Sequence, residues 1–207
     1  MCYLNAFFDR EIILENKFVK LVPLSEQYTY ALRTIIFDKE ITQYTGNHIV
    51  DDHDLEKYIR SALANRQEKQ TYPFIVIDKL TSQVAGMTRF GNIIFHNKRL
   101  EIGWTWYGKP FRGTHVNLAA KFELLRFAFE EMMFNRVQFS VDADNLRSQK
   151  AVLKLGATQE GYFRSNYVDA SGNCRDDIYY SIIRSEWLVL QRTVFSQFNN
   201  RPAAQQP

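Results

Sequence analysis

Three β-rich runs follow one another between residues 72 and 107, and they leave the chain few possible folds. The runs "YPFIVID", "VAGMTRFGNIIF" and "LEIGWTWY" are separated only by the short polar segments "KLTSQ" and "HNKR". Turns of this length join antiparallel neighbours, so the runs predict a β-meander. Alternation along the third run would place Leu100, Ile102, Trp104 and Trp106 on one face, and Glu101, Gly103 and Thr105 on the other.

A long helix and a further strand follow the meander. Apolar residues recur at helical spacing from about Thr114 to Met133 and cover most of the helix surface, which indicates packing against a sheet. The next run, "RVQFSVDADN", places Val137, Phe139 and Val141 in alternation, as a strand does. A helix between two strands predicts a crossover that joins parallel neighbours.

The remaining segments add a strand and two helices before the meander, then a short helix and a hairpin after the long helix. The order β-α-α-β-β-β-α-β-α-β-β is an α+β arrangement. No linker or repeat divides the chain, so we expect one domain over residues 1–198 and a disordered polar tail over 199–207. We expect Pro23 to end the first strand and Gly156 to end the short helix. The expected helix caps are Ser25, then Asp51 or Asp52, and Ser185, which would cap a last helix after the hairpin.

Charge and cysteine content argue against several classes of function. The formal net charge of +3 is too small to indicate nucleic-acid binding. Cys2 and Cys174 form no metal-ligand or redox spacing, so we expect no metal site and a reducing compartment. The sequence shows no apolar run near 18 residues and no secretory leader pattern, so we expect a cytoplasmic protein that does not enter a membrane.

The start of the long helix has the pattern of an anion site. "FRGTHVN" brings Arg112, Gly113, Thr114 and Asn117 to a helix N-terminus, where about four amides are unpaired and the macrodipole is positive. Arg112 could bind phosphate oxygens, and Gly113 permits close backbone approach. In the structural alternative Thr114 merely caps the helix and Arg112 is a solvated charge. A P-loop is excluded because its lysine is missing.

With its surrounding motifs, the chain resembles the GNAT superfamily of acetyl-CoA-dependent N-acetyltransferases, and most of all the ribosomal-protein N-terminal acetyltransferases. The resemblance runs from about Phe18 to Trp187 and is carried by "LEIGWTWYGKPFRGTHVNLAAKFELLRFAFE", "DADNLRSQKAVLKLGATQEG" and "RDDIYYSIIRSEW". It implies a GNAT fold, with a mixed, mostly antiparallel sheet of about seven strands, splayed at its centre and flanked by helices. It also implies acetyl-CoA as co-substrate and an amine as acceptor.

The resemblance assigns the coenzyme site residue by residue. The family pattern Gln/Arg-x-x-Gly-x-Gly/Ala falls on residues 112–117, where His115 and Asn117 replace the two glycines. The amides of this segment would hold the pyrophosphate, and the main chain of the third meander strand would pair with the pantetheine arm. The expected coenzyme-binding residues are Trp104, Thr105, Trp106, Arg112, Gly113, Thr114, His115, Val116, Asn117, Asn145 and Ser148.

Glu101 is the candidate general base. It is a carboxylate in an otherwise apolar strand, beside the expected thioester position, where partial burial would raise its pKa toward a useful value. The structural alternative is an ion pair with Arg89 or Arg99 across the hairpin. His115 and His96 are weaker candidates for the base.

Ser148 is the second catalytic candidate, because the resemblance places a serine of an N-x-x-S pattern beside the coenzyme thiol, where it can donate a hydrogen bond to the leaving thiolate or simply order it. The alternative is a first-turn serine that bonds a helix amide. Tyr167, Tyr179 and Tyr180 are further acid candidates, although aromatic residues in alternating strands are more often core. No His–Asp pattern supports a covalent acetyl-cysteine, so direct transfer is expected.

As the acceptor, a protein N-terminus and a small-molecule amine are both compatible with these residues. A second function, a coenzyme-A-binding module without catalysis, is raised by the two missing glycines, and a homodimer is compatible with the aromatic content and the resemblance. The acids that would attract a cationic amine, or serve only as caps and in turns, are Asp51, Asp52, Asp54, Asp169, Asp176 and Asp177.

Overall fold

A computed structural model describes residues 7–44, 46–47 and 49–198, and its strands form one mixed sheet. The strands are β1 Leu14–Glu15, β2 Val19–Pro23, β3 Tyr72–Asp78, β4 Gln83–Ile94, β5 Arg99–Tyr107, β6 Arg136–Asp142, β7 Thr158–Val168 and β8 Cys174–Ile183. They lie in the order β1-β2-β3-β4-β5-β6-β8-β7. The α+β prediction is confirmed, and the sheet has eight strands because the two-residue β1 adds an edge.

Neighbouring strands are antiparallel except at one place. The meander β3-β4-β5 forms as predicted, and β6, β8 and β7 are also antiparallel. β5 and β6 are parallel, which confirms the predicted crossover, since the intervening helix returns the chain to the end of the sheet where β5 began.

Helices cover both faces of the sheet. They are α1 Thr29–Ile36, α2 Lys39–Thr42, α3 Asp52–Gln67, α4 His115–Arg126, α5 Leu146–Leu153 and α6 Arg184–Arg192, and α4 continues into a π-helical turn, Phe127–Glu131. α4 and α6 pack on one face, and α1 and α3 on the other. β3 is apolar along nearly its whole length because both of its faces are buried. None of the helices in the described ranges combines the length and apolar character that a bilayer span requires.

Two of the predicted helix boundaries rest on local chemistry that the structure confirms. Asp51 caps α3, where its carboxylate accepts a hydrogen bond from the Asp54 amide at 2.9 Å. Gly156 follows α5 with a φ of 85°, the left-handed conformation that glycine adopts without strain.

Two predicted caps are wrong. Ser25 precedes a 3₁₀ turn but makes no capping hydrogen bond, and its buried hydroxyl has no partner within the described part of the chain. Ser185 lies inside α6, which begins one residue earlier. The carboxylate of Glu186 accepts a hydrogen bond from the Ile183 amide at 2.9 Å, and this single contact stands where a serine cap was expected.

A β-bulge in β5 overturns the alternation predicted for its two faces. Trp104 has a φ of 49°, and the register with β4 passes from Arg89–Gly103 to Met87–Trp106. β5 therefore contains one more residue than β4 over this stretch. This extra residue reverses the orientation of every β5 side chain that follows.

The reversal separates residues that were expected on one face. Leu100 and Ile102 pack on the side of α4, whereas Trp106 packs on the side of α1 and α3. Tyr107 now lies with Leu100 and Ile102. The backbone at the bulge approaches Gly86 so closely that a Cβ there would lie 2.0 Å from the Trp106 carbonyl oxygen, which explains the glycine.

Beyond the first residues of β5, the sheet is splayed. β5 and β6 are paired only where residues 99–101 lie opposite 136–138. Farther along, neither strand has a partner on this side among the described residues, and a V-shaped gap opens between them. The bulge in β5 lies beside this gap, because an extra residue bends the strand and ends regular pairing.

Candidate active site

A cleft of about 390 Å³ opens at the gap between β5 and β6. Its walls are residues 101–107 of β5, residues 139–142 at the end of β6, and the first turns of α4 and α5. The segment between α1 and α3 and the β7–β8 hairpin border the same space. The volume lies within the range of small-ligand sites, and the walls combine a helix N-terminus with an open strand edge.

The first turn of α4 presents free amides. Thr114 caps the helix, since its hydroxyl accepts from the Val116 amide at 3.3 Å and donates to the Phe111 carbonyl at 2.8 Å. Four donors at a helix start are a ready anion site. The amides that find no acceptor among the described residues are those of Gly113, Thr114, His115 and Asn117.

The side chains of this turn leave the approach to the amides open. Gly113 has a φ of 73°, and a Cβ built on it meets no atom within 4 Å, so glycine is needed for the backbone conformation and not for space. The His115 ring turns away toward β3, where its Nε2 lies 3.0 Å from Asp78 Oδ1, and it packs on Phe18. Asn117 borders the cleft.

Arg112 is neither a free phosphate-binding cation nor a solvated charge. Its side chain is 15% exposed, and its Nε donates to the Tyr107 carbonyl at 2.9 Å. Its guanidinium contacts Asp38 at 2.9 Å and Glu40 at 2.8 Å. Arg147 of α5 contacts the same Glu40 at 3.1 Å. Arg112 therefore ties α2 to the start of α4, and two arginines meet one carboxylate at the edge of the cleft.

Trp104, Thr105 and Trp106 form the β5 wall of the cleft. Their main chain lies beyond Glu101, where β5 has lost its parallel partner, so it is open to pairing with an extended ligand. The Trp104 side chain is 38% exposed, and Trp106 Nε1 lies 3.4 Å from the Tyr58 hydroxyl on α3.

Glu101 borders the cleft and is held by two amides. It is 6% exposed, and its Oε2 accepts from Asn92 at 2.9 Å and from Gln138 at 3.0 Å. It forms no ion pair with Arg89 or Arg99, and Arg99 instead donates to Gln138 at 3.2 Å. Within the described residues Oε1 has no hydrogen-bond donor, so the carboxylate is oriented while one oxygen remains free to take a proton.

Asn145 and Ser148 lie together at the start of α5 and border the cleft. The Asn145 side-chain oxygen accepts from the Ser148 amide at 3.1 Å and so caps the helix. The Ser148 hydroxyl bonds no residue that the structure describes. The alternative in which this hydroxyl bonds a helix amide is therefore wrong.

Tyr167 is the one of the three candidate tyrosines that lies in the cleft. Its hydroxyl donates to Asp142 at 2.7 Å, and burial together with this bond raises the pKa of Tyr167 far above its ordinary value. Tyr180 is a core residue, and Tyr179 borders a different depression. A phenol that already gives its proton to a carboxylate is a poor acid for a leaving group.

The other candidates lie apart from the cleft. His96 is exposed in the turn between β4 and β5, and Cys174 is exposed at the start of β8. Cys2 and the tail lie outside the described residues. In the described ranges, no group of three or more His, Cys, Asp and Glu side chains is arranged to hold a metal ion.

Most of the acids that were candidates for attracting an amine have structural partners instead. Asp51 caps α3, Asp52 pairs with Arg33 at 2.7 Å, and Asp169 accepts from amides in its own turn. Of the six, Asp177 alone borders the cleft. The cleft acids that the sequence reasoning missed are Glu40 and Asp142.

Lys121 is a buried cation of the cleft that the sequence reasoning also missed. It lies on α4, is 5% exposed, and donates to Thr105 at 2.7 Å and to Thr88 at 3.5 Å. Burial lowers the pKa of Lys121 to about 7. The signal was present in "LAAKFELL", where one lysine stands among apolar residues on a helix predicted to be covered on most sides.

Comparison with known sequences finds relatives over much of the chain. The family profile described as "Acetyltransferase (GNAT) domain" matches residues 19–158. YdaF of Bacillus subtilis strain 168, named "Putative ribosomal N-acetyltransferase", is 34% identical over 105 residues. Those residues are 50% of this chain and 56% of YdaF, so the match spans little more than half of that relative.

Solved structures share the fold. A GCN5-related N-acetyltransferase from Brucella melitensis has a TM-score of 0.84 at 23% identity, over 95% of this chain and 91% of that one. Mycobacterium smegmatis RimJ, in complex with CoA-disulfide, has a TM-score of 0.77 at 17% identity, over 91% and 96% of the two chains. At these identities the likeness concerns the fold.

Proposed function

Because this chain belongs to the GNAT family of N-acetyltransferases and is therefore an acyltransferase, we propose that it moves the acetyl group of acetyl-CoA directly to a primary amine. The observation that carries the proposal is the meeting of three features in one cleft. These are the free amides of Gly113, Thr114, His115 and Asn117, the open edge of β5, and the carboxylate of Glu101.

The coenzyme would be held mainly by main chain. The amides at the start of α4 suit a diphosphate, because their N–H groups and the helix dipole favour negative charge. The open β5 edge at residues 104–106 suits the amide groups of a pantetheine arm, which pairs there like an added strand. Asn145 offers a side-chain amide on the opposite wall. In this arrangement Arg112 acts through its ion pairs, which position the loop.

Transfer needs a neutral amine. An amine with a pKa near 10 is mostly ammonium at neutral pH, so a base must take one proton before attack. Glu101 fits this role, since Oε1 is free and two amides fix the carboxylate. The amine nitrogen bonds to the acetyl carbon, the carbon–sulfur bond breaks, and its electron pair leaves with the sulfur. Ser148 would orient the sulfur through its hydroxyl.

We propose that the acceptor is an amine on a protein N-terminus or on a small molecule. The protein substrate is suggested by the name of YdaF, a relative at 34% identity. Of the acids that border the cleft, Glu40 and Asp142 are paired with arginines, so Glu101 and Asp177 are the ones that would favour a cationic group. A cytoplasmic location, a homodimer, and the lack of nucleic-acid and metal partners stay predictions.

Calorimetry with acetyl-CoA and with CoA, followed by a thiol-release assay on a panel of amines and peptides, tests the proposal. The peptides are used with free and with blocked N-termini, so that α-amines are separated from side-chain amines. We expect both nucleotides to bind and thiol release to require a free amine. Binding without turnover on a broad panel would favour a coenzyme-A-binding module, and no binding would reject both functions.

Glu101→Gln tests the base separately from binding. It keeps the size of the side chain and removes the proton acceptor, so we expect turnover to fall by about 10²- to 10⁴-fold with the affinity for acetyl-CoA nearly unchanged. Glu160→Gln is the matched control, because Glu160 pairs with Arg136 away from the cleft. Turnover that is equal in the two variants would remove Glu101 from the base role.

A further inference from the structure

Among the described residues, no group beside the buried Lys121 balances its positive charge. Its contacts are the hydroxyls of Thr105 and Thr88 and the ring of Phe139, which lies 5.9 Å from Nζ. In the described part of the chain no carboxylate lies within 4 Å of Nζ. A buried cation without a counter-ion costs several kcal/mol, so its partner should be an anion that arrives with a ligand.

The position on α4 restricts which anion this can be. Lys121 is four residues beyond Asn117, or roughly 6 Å farther along the helix axis, so it lies deeper than the amides that suit the diphosphate. At that depth Nζ contacts Thr105, in the β5 segment that suits the pantetheine arm. Pantetheine is uncharged, and the negative charge that develops beyond the phosphates is the thiolate left by acetyl transfer.

We propose that Lys121 is the catalytic acid of the acetyl transfer, giving a proton from Nζ to the departing coenzyme A thiolate. The inference rests on the proposed function. When the carbon–sulfur bond breaks, its electron pair stays on sulfur and the sulfur takes a proton from the ammonium, which becomes a neutral amine. Two protons leave the acceptor nitrogen through Glu101: Glu101 passes the first, from the ammonium, to solvent before attack, and it holds the second, which is released as the amide forms. Solvent returns this second proton from Glu101 to Lys121 after product leaves, and the proton passed on before attack stays in solvent. Ser148, which carries no charge, orients the sulfur and supplies no proton.

The environment of Nζ fits an acid that works near neutral pH. Burial lowers the pKa of Lys121 to about 7. A general acid whose pKa lies near the working pH is protonated in a large fraction of molecules and also gives up its proton readily. On the α4 side of β5 a second titratable side chain is the buried Tyr107, and burial raises the pKa of its hydroxyl. The charged side chains that border the cleft besides Lys121 are Glu40, Glu101, Arg112, Asp142, Arg147 and Asp177.

The test compares the binding of CoA with that of desulfo-CoA, which lacks the thiol, by calorimetry from pH 6 to pH 10. If the ammonium stabilises the thiolate, CoA should bind at least about tenfold more tightly than desulfo-CoA between the pKa of Lys121 and that of an ordinary thiol, roughly 8.5. The ratio of the two affinities should be smaller at pH values below this window, where the thiol keeps its proton. It should also be smaller at pH values above the window, where the amine has lost its proton. No acceptor amine is needed for the measurement.

Two variants make the result specific to Lys121. Lys121→Met should remove the preference for CoA at every pH while desulfo-CoA still binds. Lys121→Arg stays charged, so the ratio should rise with pH up to the pKa of the thiol and stay high above it, without the fall that the wild type shows at alkaline pH. Equal affinities in the wild type, or a preference that survives Lys121→Met, would overturn the inference and leave the proposed function standing. If neither nucleotide binds, both are overturned.

Discussion

Replacing Lys121 by methionine should stabilise the protein, and by an amount that depends on pH. A pKa of about 7 in the fold against 10.5 in the unfolded chain corresponds to roughly 5 kcal/mol of destabilisation below pH 7, where both states carry the charge. Methionine has a similar length and no charge. It forfeits the hydrogen bond to Thr105, which is worth about 1 kcal/mol. The expected gain at pH 6.5 is therefore about 4 kcal/mol at most.

The sign of the pH dependence follows from proton counting. Between pH 7 and 10.5 the unfolded chain holds a proton on Lys121 that the folded chain does not, so the stability of the wild type rises with pH. The advantage of Lys121→Met should shrink by about 1.4 kcal/mol per pH unit and be about 1 kcal/mol at pH 9. Urea unfolding of the full chain at pH 6.5, 8 and 9 measures this difference in the free energy of unfolding between the variant and the wild type.

The exposed Lys57 of α3 provides the control. Lys57→Met should change the free energy of unfolding by no more than about 0.5 kcal/mol, and by the same amount at each pH. A gain for Lys121→Met that is equal at pH 6.5 and pH 9 would refute the reasoning, because it would mean that the ammonium is not desolvated in the fold. A loss of stability at pH 6.5 would refute it as well.

Three further predictions concern the frame around the cleft. Gly86→Ala should cost at least about 3 kcal/mol in denaturant unfolding, since its Cβ would lie 2.0 Å from the Trp106 carbonyl oxygen; unchanged stability would contradict the bulge geometry. The Cβ added by Gly113→Ala meets no atom within 4 Å, but the alanine must adopt a φ of 73°. We therefore expect the free energy of unfolding to fall by about 1 kcal/mol and acetyl-CoA to bind more weakly in calorimetry, with smaller effects for Gly113→Asn. Burial alone would raise the pKa of Asp142, but its bonds, chiefly from Arg175, hold that pKa below 3.8. Asp142→Asn should therefore cost about 2 kcal/mol at pH 7, and the difference should vanish as the pH falls through the lowered pKa; a constant difference would speak against the ion pair.

The order of elements and several of their boundaries could be predicted because their signals are local. Asp51 caps α3 through an amide three residues away, and Gly156 ends α5 by its own backbone freedom. Alternation in β6 placed Val137, Phe139 and Val141 in the core correctly. The short turns of the meander and the long helix after β5 were sufficient to predict the parallel pair β5–β6.

The candidate site was predicted less completely because several of its contacts join residues far apart in the chain. The guanidinium of Arg112 could be read as a phosphate ligand only until α2 was seen to bring Glu40, 72 positions earlier, within 2.8 Å. Glu101 could be placed on its strand, but its partners Asn92 and Gln138 depend on the neighbouring strands. A pairing between distant residues leaves no periodic signal in either segment.

The sequence alone was sufficient for the chain's class and for the location of its cleft, since turn lengths, caps and hydrophobic periods act between neighbours. Tertiary structure decided which side chains face that cleft. The bulge at Trp104 reverses the orientation of the residues after it, and closure of α4 on the sheet buries the Lys121 ammonium beside Thr105. One inserted residue changes every later orientation, and burial changes the free energy of a charge. Both effects exist only once separate segments are packed together.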